Sequence, residues 1–306
     1  MSKSFLSQIK KGKVRKPHLI LIYGPDKVGK STFGAHAPNP IFLGAEDGSS
    51  NLDVARLPQP QTYDDVLAAL QELATEKHEF ETLVIDSLDW IEPLVFEKLC
   101  REAGKDTIED FGYGSGYKKS LPEWRKMIRA IEQLQAAKKM HVIMIAHSQV
   151  KTFNDPHENA AYDRYQLKLY EGASALFREF AECIFFANFE VSTTKKEGER
   201  KAKAYGEGDR ILYTERRPAF DAGNRFGLPF EIKPLSWKAY TEALEALQTE
   251  QTDSPDTLKK SIQGLLKNVK DKELLTKVTE SVSRAGDNPE LLRNIKRRLN
   301  ELVAAA

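Results

Sequence analysis

Cysteine is scarce in this 306-residue chain, which holds only two. Cys100 and Cys183 each lie in an apolar run without metal-site spacing, which argues against a disulfide framework or a cysteine metal site and favours buried, reduced thiols. No apolar run approaches the roughly 20 residues of a membrane span, and the N-terminus lacks the apolar segment of a signal peptide. We therefore expect a cytoplasmic protein with no membrane partner.

An excess of charge of one sign is also missing. The chain has 46 Lys and Arg against 45 Asp and Glu, a net charge of +1, so any contact with nucleic acid has to come from local patches. One such patch is the N-terminal arm, residues 1–16, which is rich in Lys and Arg. It is either a solvated arm or an arm that contacts nucleic acid or another subunit.

The strongest motif in the chain is a P-loop. An apolar run from Leu19 to Ile22 reads as a buried strand and leads directly into a stretch that fits G-x-x-x-x-G-K-[ST]. In this motif glycines let backbone N–H groups approach a polyphosphate, the lysine reaches the β- and γ-phosphates, and the hydroxyl ligates Mg²⁺. The predicted nucleotide-binding residues are Gly24, Pro25, Asp26, Lys27, Val28, Gly29, Lys30, Ser31 and Thr32.

Acidic residues end two further apolar strands. Glu46 follows the strand after the P-loop helix and is a candidate base for the attacking water, or else a solvated loop acid. Asp86 ends the next strand in a Walker B pattern, which predicts that Ser31 and Asp86 together hold Mg²⁺. His147 ends a later strand, where it either senses the γ-phosphate or relays its state to the next segment, or else is a core or capping histidine.

Aromatic and basic residues are interleaved in two stretches, a pattern that single-stranded nucleic acid needs for base stacking and phosphate contact. The first is a glycine-rich segment, 111–119, for which the alternative interpretation is a packed turn that binds no nucleic acid. The second is a long predicted loop over 151–167. The candidate DNA-binding residues are Phe111, Tyr113, Tyr117, Lys118, Lys119, Lys151, Arg164 and Lys168.

Three arginines, Arg216, Arg217 and Arg225, follow the last predicted strands and are candidates for a γ-phosphate contact with a neighbouring subunit. We predict a core over 17–248, a polar linker over 249–253 and a helical appendage over 254–306. Apolar residues at helical spacing predict three short helices in the appendage, and helix start signals at Ser254-Pro255 and Asn288-Pro289 support them.

The order of these motifs resembles that of the RecA-like core ATPases over residues 17–235, and is most similar to phage-encoded AAA nucleotide-binding proteins of single-strand annealing and recombination. The resemblance implies an α/β fold: a RecA-like P-loop NTPase core with a mostly parallel sheet between helices, plus the small helical appendage. It also implies ATP and Mg²⁺ as cofactors, Glu46 as catalytic base and Lys30 and Arg225 as catalytic residues. A homo-oligomer with ATP at its subunit interfaces is expected.

The segment Asn224-Arg225-Phe226-Gly227 is similar to the Lys-Asn-Arg-Phe-Gly motif of RadA-type members, whose basic residues act across the interface. Gly223 stands in place of the lysine, which leaves Arg225, with Arg216 or Arg217, to act in trans.

The function predicted from these features is an Mg²⁺-dependent ATPase that binds single-stranded DNA and promotes annealing or strand exchange. The main alternative is an ATP-dependent switch or loader that remodels a replication or single-strand-binding protein. A small-molecule phosphotransferase is disfavoured because no arginine-rich lid follows a P-loop helix. A non-enzymatic protein that holds ATP structurally is a third alternative, to which slow turnover with tight DNA binding would point.

Overall fold

The structure is a computed structural model that describes residues 9, 16–44, 51–154, 160–190, 192–194, 203–205, 208–252, 254–267, 269 and 271–304. The chain divides into two compact units, Met1–Tyr240 and Thr241–Ala306. The first unit holds the sheet that carries the P-loop, and the second unit is helical.

The described residues contain twelve strands, most of them in one mixed sheet. The strands are β1 (Leu19–Gly24), β2 (Pro40–Gly44), β3 (Ala55–Arg56), β4 (Thr82–Asp86), β5 (His141–Phe153), β6 (Tyr162–Leu167), β7 (Cys183–Phe189), β8 (Ser192–Thr194), β9 (Lys203–Tyr205), β10 (Arg210–Tyr213), β11 (Gly223–Asn224) and β12 (Glu231–Ile232).

The order across the sheet is β12-β10-β7-β1-β5-β4-β2-β3. Strands β3, β2, β4, β5, β1 and β7 run parallel, whereas β10 is antiparallel to both of its neighbours. Strand β5 separates the P-loop strand β1 from the Walker B strand β4. This mostly parallel sheet, with β1 buried along its whole length and helices packed around it, confirms the predicted α/β fold class.

Helices of the described residues connect these strands and form the second unit. They are α1 (Lys30–Ala35), α2 (Tyr63–Thr75), α3 (Leu88–Ala103), α4 (Ser115–Lys138), α5 (Glu171–Phe180), α6 (Trp237–Thr252), α7 (Pro255–Leu266), α8 (Lys272–Ala285) and α9 (Pro289–Ala304), with a 3₁₀ turn at Ile108–Phe111.

Helices cover both faces of the sheet. Leu21 and Tyr23 of β1 share one buried cluster with the apolar sides of α2, α3, α4 and α5. On the other face, Phe33 of α1 packs edge-on against Trp237 at the start of α6, with ring centroids 5.5 Å apart. Both faces of the central strands are therefore apolar, which explains the continuous hydrophobic runs in their sequences.

Two predicted segments differ from the structure. The loop predicted from 151 to 167 is a hairpin: β5 continues to Phe153 and pairs antiparallel with β6. The glycine-rich segment is shorter than predicted, because α4 begins at Ser115. A Cβ on Gly116 would lie 2.2 Å from the carbonyl oxygen of Ile108, so a glycine is needed where the helix meets the 3₁₀ turn.

The second unit contains the three predicted helices α7, α8 and α9. Ser254 accepts a hydrogen bond from the N–H of Thr257, and Pro255 occupies the first turn, as the start signal predicted. The predicted linker is largely helical, since α6 runs to Thr252. The domain boundaries themselves stay predictions. None of the helices in the described ranges combines the length and the apolar character needed to cross a bilayer.

Candidate nucleotide-binding site

The P-loop turn requires glycine at both of its ends. A Cβ on Gly24 would lie 2.1 Å from the carbonyl oxygen of Ala187 in the neighbouring strand β7. Gly29 has φ +106, a conformation that L-residues rarely adopt. The turn between them also holds Lys27 at φ 60. Close strand packing at one end and a left-handed turn at the other thus explain the spacing of the motif.

Lys30 lies under this turn. Its side chain is 5% exposed, and Nζ donates to the carbonyl oxygens of Gly24 at 3.0 Å and of Pro25 at 2.8 Å. These contacts hold the ammonium group at the inner wall of the loop, where the motif predicts contact with phosphate.

Ser31 and Asp86 meet, although 55 residues separate them in the chain. The Ser31 hydroxyl donates to Oδ2 of Asp86 at 2.6 Å. Burial raises the pKa of Asp86, outweighing the opposing effects of the Ser31 hydrogen bond and of Lys30. The carboxylate is therefore poorly solvated, and a cation close to it would stabilise its charged form.

This pair has the donor chemistry that Mg²⁺ prefers. Mg²⁺ in phosphate-transfer sites takes oxygen ligands, with one or two protein groups and the rest from phosphates and water. The adjacent hydroxyl and carboxylate oxygens of Ser31 and Asp86 fit that set, so these two residues would hold the ion. When bound, Mg²⁺ would neutralise charge on the β- and γ-phosphates.

His147 lies beside the P-loop because Gly24 and His147 are register partners in β1 and β5. Its Nδ1 contacts Oδ2 of Asp89 at 2.8 Å, its backbone N–H donates to Oδ1 of Asp89, and its Nε2 is 3.5 Å from Asp26 of the turn. The Asp89 hydrogen bond raises the pKa of His147 despite partial burial. Burial acts to raise the pKa of Asp89, but the bonds from His147 outweigh it and hold that pKa below its ordinary value.

Residues of the P-loop, together with Asp86 and His147, line a cleft of about 590 Å³. Its remaining walls come from residues that the motifs do not include: Asn51, Leu52, Trp90, Lys168 and Arg210. Lys168 was predicted to bind DNA, yet it lies in this cleft, with its backbone N–H bonded to the carbonyl oxygen of His147 at 2.9 Å. Trp90 fits a core stripe by its helical spacing but is 48% exposed.

A strand, a phosphate-binding turn and a Walker B aspartate are thus combined in one cleft. A family model described as an AAA domain matches residues 16–226, which is more than half of the chain. The chain belongs to this AAA domain family. It is accordingly a P-loop protein with a nucleotide-binding site, as its motifs predicted.

Two other comparisons add little to this assignment of the AAA domain. No curated protein sequence matches the chain. A crystal structure of the RadB recombinase is similar at 13% sequence identity and a TM-score of 0.37, over 67% of this chain and 91% of that chain. A likeness of this strength supports no conclusion about function.

The predicted base of the AAA domain, Glu46, lies outside the described residues, as does most of the basic arm. Arg210 was missed by sequence reasoning. Its guanidinium Nη1 would lie 3.1 Å from a Cβ on Gly29, so it faces the P-loop across the cleft. Arg210 reaches the cleft because β10, which begins at Arg210, lies in the same sheet as the P-loop strand although it is distant from it in the sequence. No local sequence motif indicates this position.

The residues predicted in the segment 111–119 lie around the start of α4. Tyr113 is fully exposed in the turn. Tyr117 bonds to Glu109 and stacks on Tyr170, with ring centroids 5.4 Å apart, and the Lys119 ammonium lies 5.9 Å from the Phe111 ring centroid. Lys118 is exposed. Tyr113, Lys118 and Lys119 are thus exposed, whereas Phe111 and Tyr117 are half-buried, and contact of this segment with DNA stays a prediction.

The hairpin residues have different environments. Lys151 is exposed on β5. Arg164 on β6 is only 4% exposed; its Nη2 bonds to Asp221, and its guanidinium lies 5.1 Å from the Phe153 ring centroid. Direct contact between Arg164 and DNA is therefore not compatible with this structure, because Asp221 and the surrounding protein enclose its side chain.

The Asn-Arg-Phe-Gly motif forms a tight turn. Asn224 Oδ1 accepts the backbone N–H groups of Phe226, Gly227 and Leu228 at 2.8 to 3.0 Å. Gly227 has φ +81, and Phe226 packs near His18, with ring centroids 5.0 Å apart. Three of the four residues thus shape the turn, and Arg225 is the one whose side chain is exposed.

Arg225 lies at the opposite edge of the sheet from the P-loop of its own chain. Asn224 pairs with Cys183, which pairs with Ile20, four positions before Gly24, or roughly 13 Å along the strand. A γ-phosphate contact by Arg225 would therefore require a second subunit.

The other two candidate arginines contact residues of their own chain. Arg217 lies 3.6 Å from the Phe230 ring centroid, and Arg216 is 3.6 Å from Asp221.

Proposed function

We propose that this protein is an Mg²⁺-dependent ATPase that binds single-stranded DNA and promotes annealing or strand exchange. The observation that carries the proposal is the course of β5. This single strand places His147 beside the P-loop and then continues into the β5–β6 hairpin, where Lys151 is exposed. A change at the γ-phosphate would thus reach the hairpin along continuous backbone.

In the proposed reaction, Lys30 would bind the β- and γ-phosphates, and Ser31 and Asp86 would hold Mg²⁺. Glu46 would activate the attacking water, and His147 would respond to loss of the γ-phosphate. The cleft suits a polyphosphate, since Lys27, Lys30, Lys168 and Arg210 line it against the acidic Asp26 and Asp86.

Arg225 from a neighbouring copy in a homo-oligomer would neutralise the negative charge that develops in the transition state. Such arginines contribute roughly 10³ to 10⁵ in rate, so we expect the isolated monomer to hydrolyse ATP slowly. A mixture of Lys30→Ala and Arg225→Gln proteins tests this role: each alone would be inactive, whereas mixed oligomers would recover activity. A mixture no more active than its components would remove the trans role.

The experiment for the proposed function as a whole is steady-state ATP hydrolysis with and without single-stranded DNA, at two salt concentrations, beside Lys30→Ala. We expect DNA to stimulate hydrolysis, salt to weaken the stimulation, and Lys30→Ala to abolish it. Hydrolysis that is intact but indifferent to DNA would instead favour the switch or loader that remodels a replication protein.

A further inference from the structure

An arginine cluster lies beside strand β6 of the β5–β6 hairpin, and none of its residues lines the nucleotide cleft. The carboxylate of Asp221 accepts a hydrogen bond from Arg164 Nη2 on Oδ1 and another from Arg178 Nη1 on Oδ2, the latter at 2.8 Å. The Nε of Arg216 lies 3.6 Å from Oδ1 of the same carboxylate. We call these four residues the Asp221 cluster. In the described part of the chain, Asp221 is the only carboxylate in ion-pair contact with any of the three arginines.

The cluster carries more positive charge and more donors than its single carboxylate can satisfy. Three guanidinium groups against one carboxylate leave a net charge of +2. The Nε atoms of Arg164 and Arg178 are buried and have no hydrogen-bond partner. A carboxylate offers about four acceptor positions, whereas each guanidinium has five N–H donors. The buried Nε atoms are out of reach of an external ligand, so an external anion would use the terminal N–H groups of the more exposed Arg178 and Arg216.

Exposure separates the cluster into an inner and an outer part. The side chain of Arg164 is 4% exposed. The Tyr23 hydroxyl donates a hydrogen bond to the backbone carbonyl oxygen of Asp221 at 2.7 Å, which fixes the position of Asp221. Arg178 and Arg216 are 37% and 62% exposed. Arg164 and Asp221 thus form a fixed base, and the two outer guanidinium groups are accessible to a ligand.

The neighbouring surface indicates which anion this is. Phe153 and Tyr162 face each other across the hairpin, with ring centroids 5.7 Å apart, and Arg164 contacts both Phe153 and Asp221. The cluster is also joined to β6 by a backbone hydrogen bond from Tyr165 to Ala219 at 2.8 Å. Guanidinium groups beside half-buried aromatic rings are typical of surfaces that bind single-stranded nucleic acid.

We propose that Arg178 and Arg216 bind backbone phosphates of single-stranded DNA beside strand β6 of the hairpin, with Arg164 and Asp221 as positioning residues. The inference rests on the proposed DNA binding and extends it to Arg178, on which no motif falls. It also gives Arg216 a contact with DNA in place of its predicted action in trans.

The test measures binding of the full chain to a fluorescein-labelled oligothymidylate by anisotropy over a range of KCl concentrations. Removal of one phosphate contact lowers the slope of log K against log salt by about 0.7 for a single strand. Arg178→Gln/Arg216→Gln should therefore reduce the slope by about 1.4 and weaken binding at low salt. The matched control, Lys77→Gln/Arg129→Gln, removes the same charge from other exposed positions and should retain the wild-type slope.

A second pair of variants separates charge from geometry. Arg178→Lys/Arg216→Lys keeps both charges, so it should keep the wild-type slope and bind more weakly than wild type, because lysine lacks the planar fork. Affinity for ATP, measured in the same proteins, should not change. This comparison also covers the case in which the glutamine variant fails to fold.

Three results would overturn the assignment of Arg178 and Arg216, and one of them would also overturn the proposed function. A wild-type slope and affinity in the glutamine variant would overturn the assignment of Arg178 and Arg216, while the proposed function would stand because wild type still binds DNA. An equal loss in the control would also overturn it, since net charge alone would then explain binding. No binding of DNA by wild type would overturn both proposals.

Discussion

Removal of the charge on Asp221 should destabilise the first unit. The substitution Asp221→Asn keeps the size of the side chain and leaves Arg164, Arg178 and Arg216 without their shared carboxylate. Arg164 is the critical partner because its side chain is 4% exposed and has no water to replace the carboxylate. The other two arginines are 37% and 62% exposed and would be resolvated.

The expected cost follows from that difference in exposure. Removal of one partner from a buried ion pair costs about 3–5 kcal/mol, whereas exposed pairs contribute about 0.2–1 kcal/mol each. Asp221 itself is 23% exposed, so partial access to water places the expected loss near the lower limit, about 3 kcal/mol. Arg216→Gln, the control on the exposed side, should cost less than about 1 kcal/mol.

Urea unfolding followed by tryptophan fluorescence measures this effect. The three tryptophans, Trp90, Trp124 and Trp237, all lie in the unit Met1–Tyr240, so the signal reports on that unit alone. Arg164→Met combined with Asp221→Asn should recover most of the loss, because a buried pair replaced by uncharged groups is often close to neutral. A loss below about 1 kcal/mol in Asp221→Asn, or a double variant no more stable than that single one, would refute the reasoning.

Three further predictions concern the core, the metal site and the histidine. Gly116→Ala should lower the urea midpoint, since the new Cβ would lie 2.2 Å from a backbone carbonyl oxygen, whereas Gly223→Ala, with open space around it, should not; equal midpoints would contradict this. Asp86→Asn should weaken ATP affinity about tenfold or more with Mg²⁺ and much less without it, as measured by calorimetry, and an equal loss in both would exclude a metal role. His147 has a raised pKa and Asp89 a lowered one, so their pairing stabilises most between their ordinary values of 3.8 and 6.5. The difference in melting temperature between wild type and His147→Gln should therefore shrink as the pH rises through the raised pKa of His147, and a constant difference would contradict this.

The sequence was sufficient for the central site because local patterns define it. The P-loop spacing and the buried strand before Asp86 are readable without any distant contact. The carboxyl ends of parallel strands meet at one edge, so Ser31 and Asp86 were expected to meet. The three appendage helices were also predictable, since their apolar spacing and start signals lie within each segment.

The parts that could not be predicted depend on contacts between distant residues. The hairpin has no clear period, because the buried residues of β6, Arg164 and Leu167, are three positions apart and one of them is charged. Arg164 lies in a stretch that mixes aromatic and basic residues, a pattern that favours DNA contact. Its ion pair with Asp221, 57 residues away, instead holds its side chain in the protein interior. The helical spacing of Trp90 shows that it lies on a stripe but not that the stripe ends at an open cleft.

The unbroken length of β5 has a mechanical consequence. Six residues separate His147 from Phe153, a distance of about 20 Å along one strand at about 3.3 Å per residue. A strand paired along this whole length bends little, so a tilt of about 3° at His147 would move Phe153 by about 1 Å. If the nucleotide moves His147, as proposed, strand β5 would act as a lever that carries the displacement to the hairpin tip without a separate hinge.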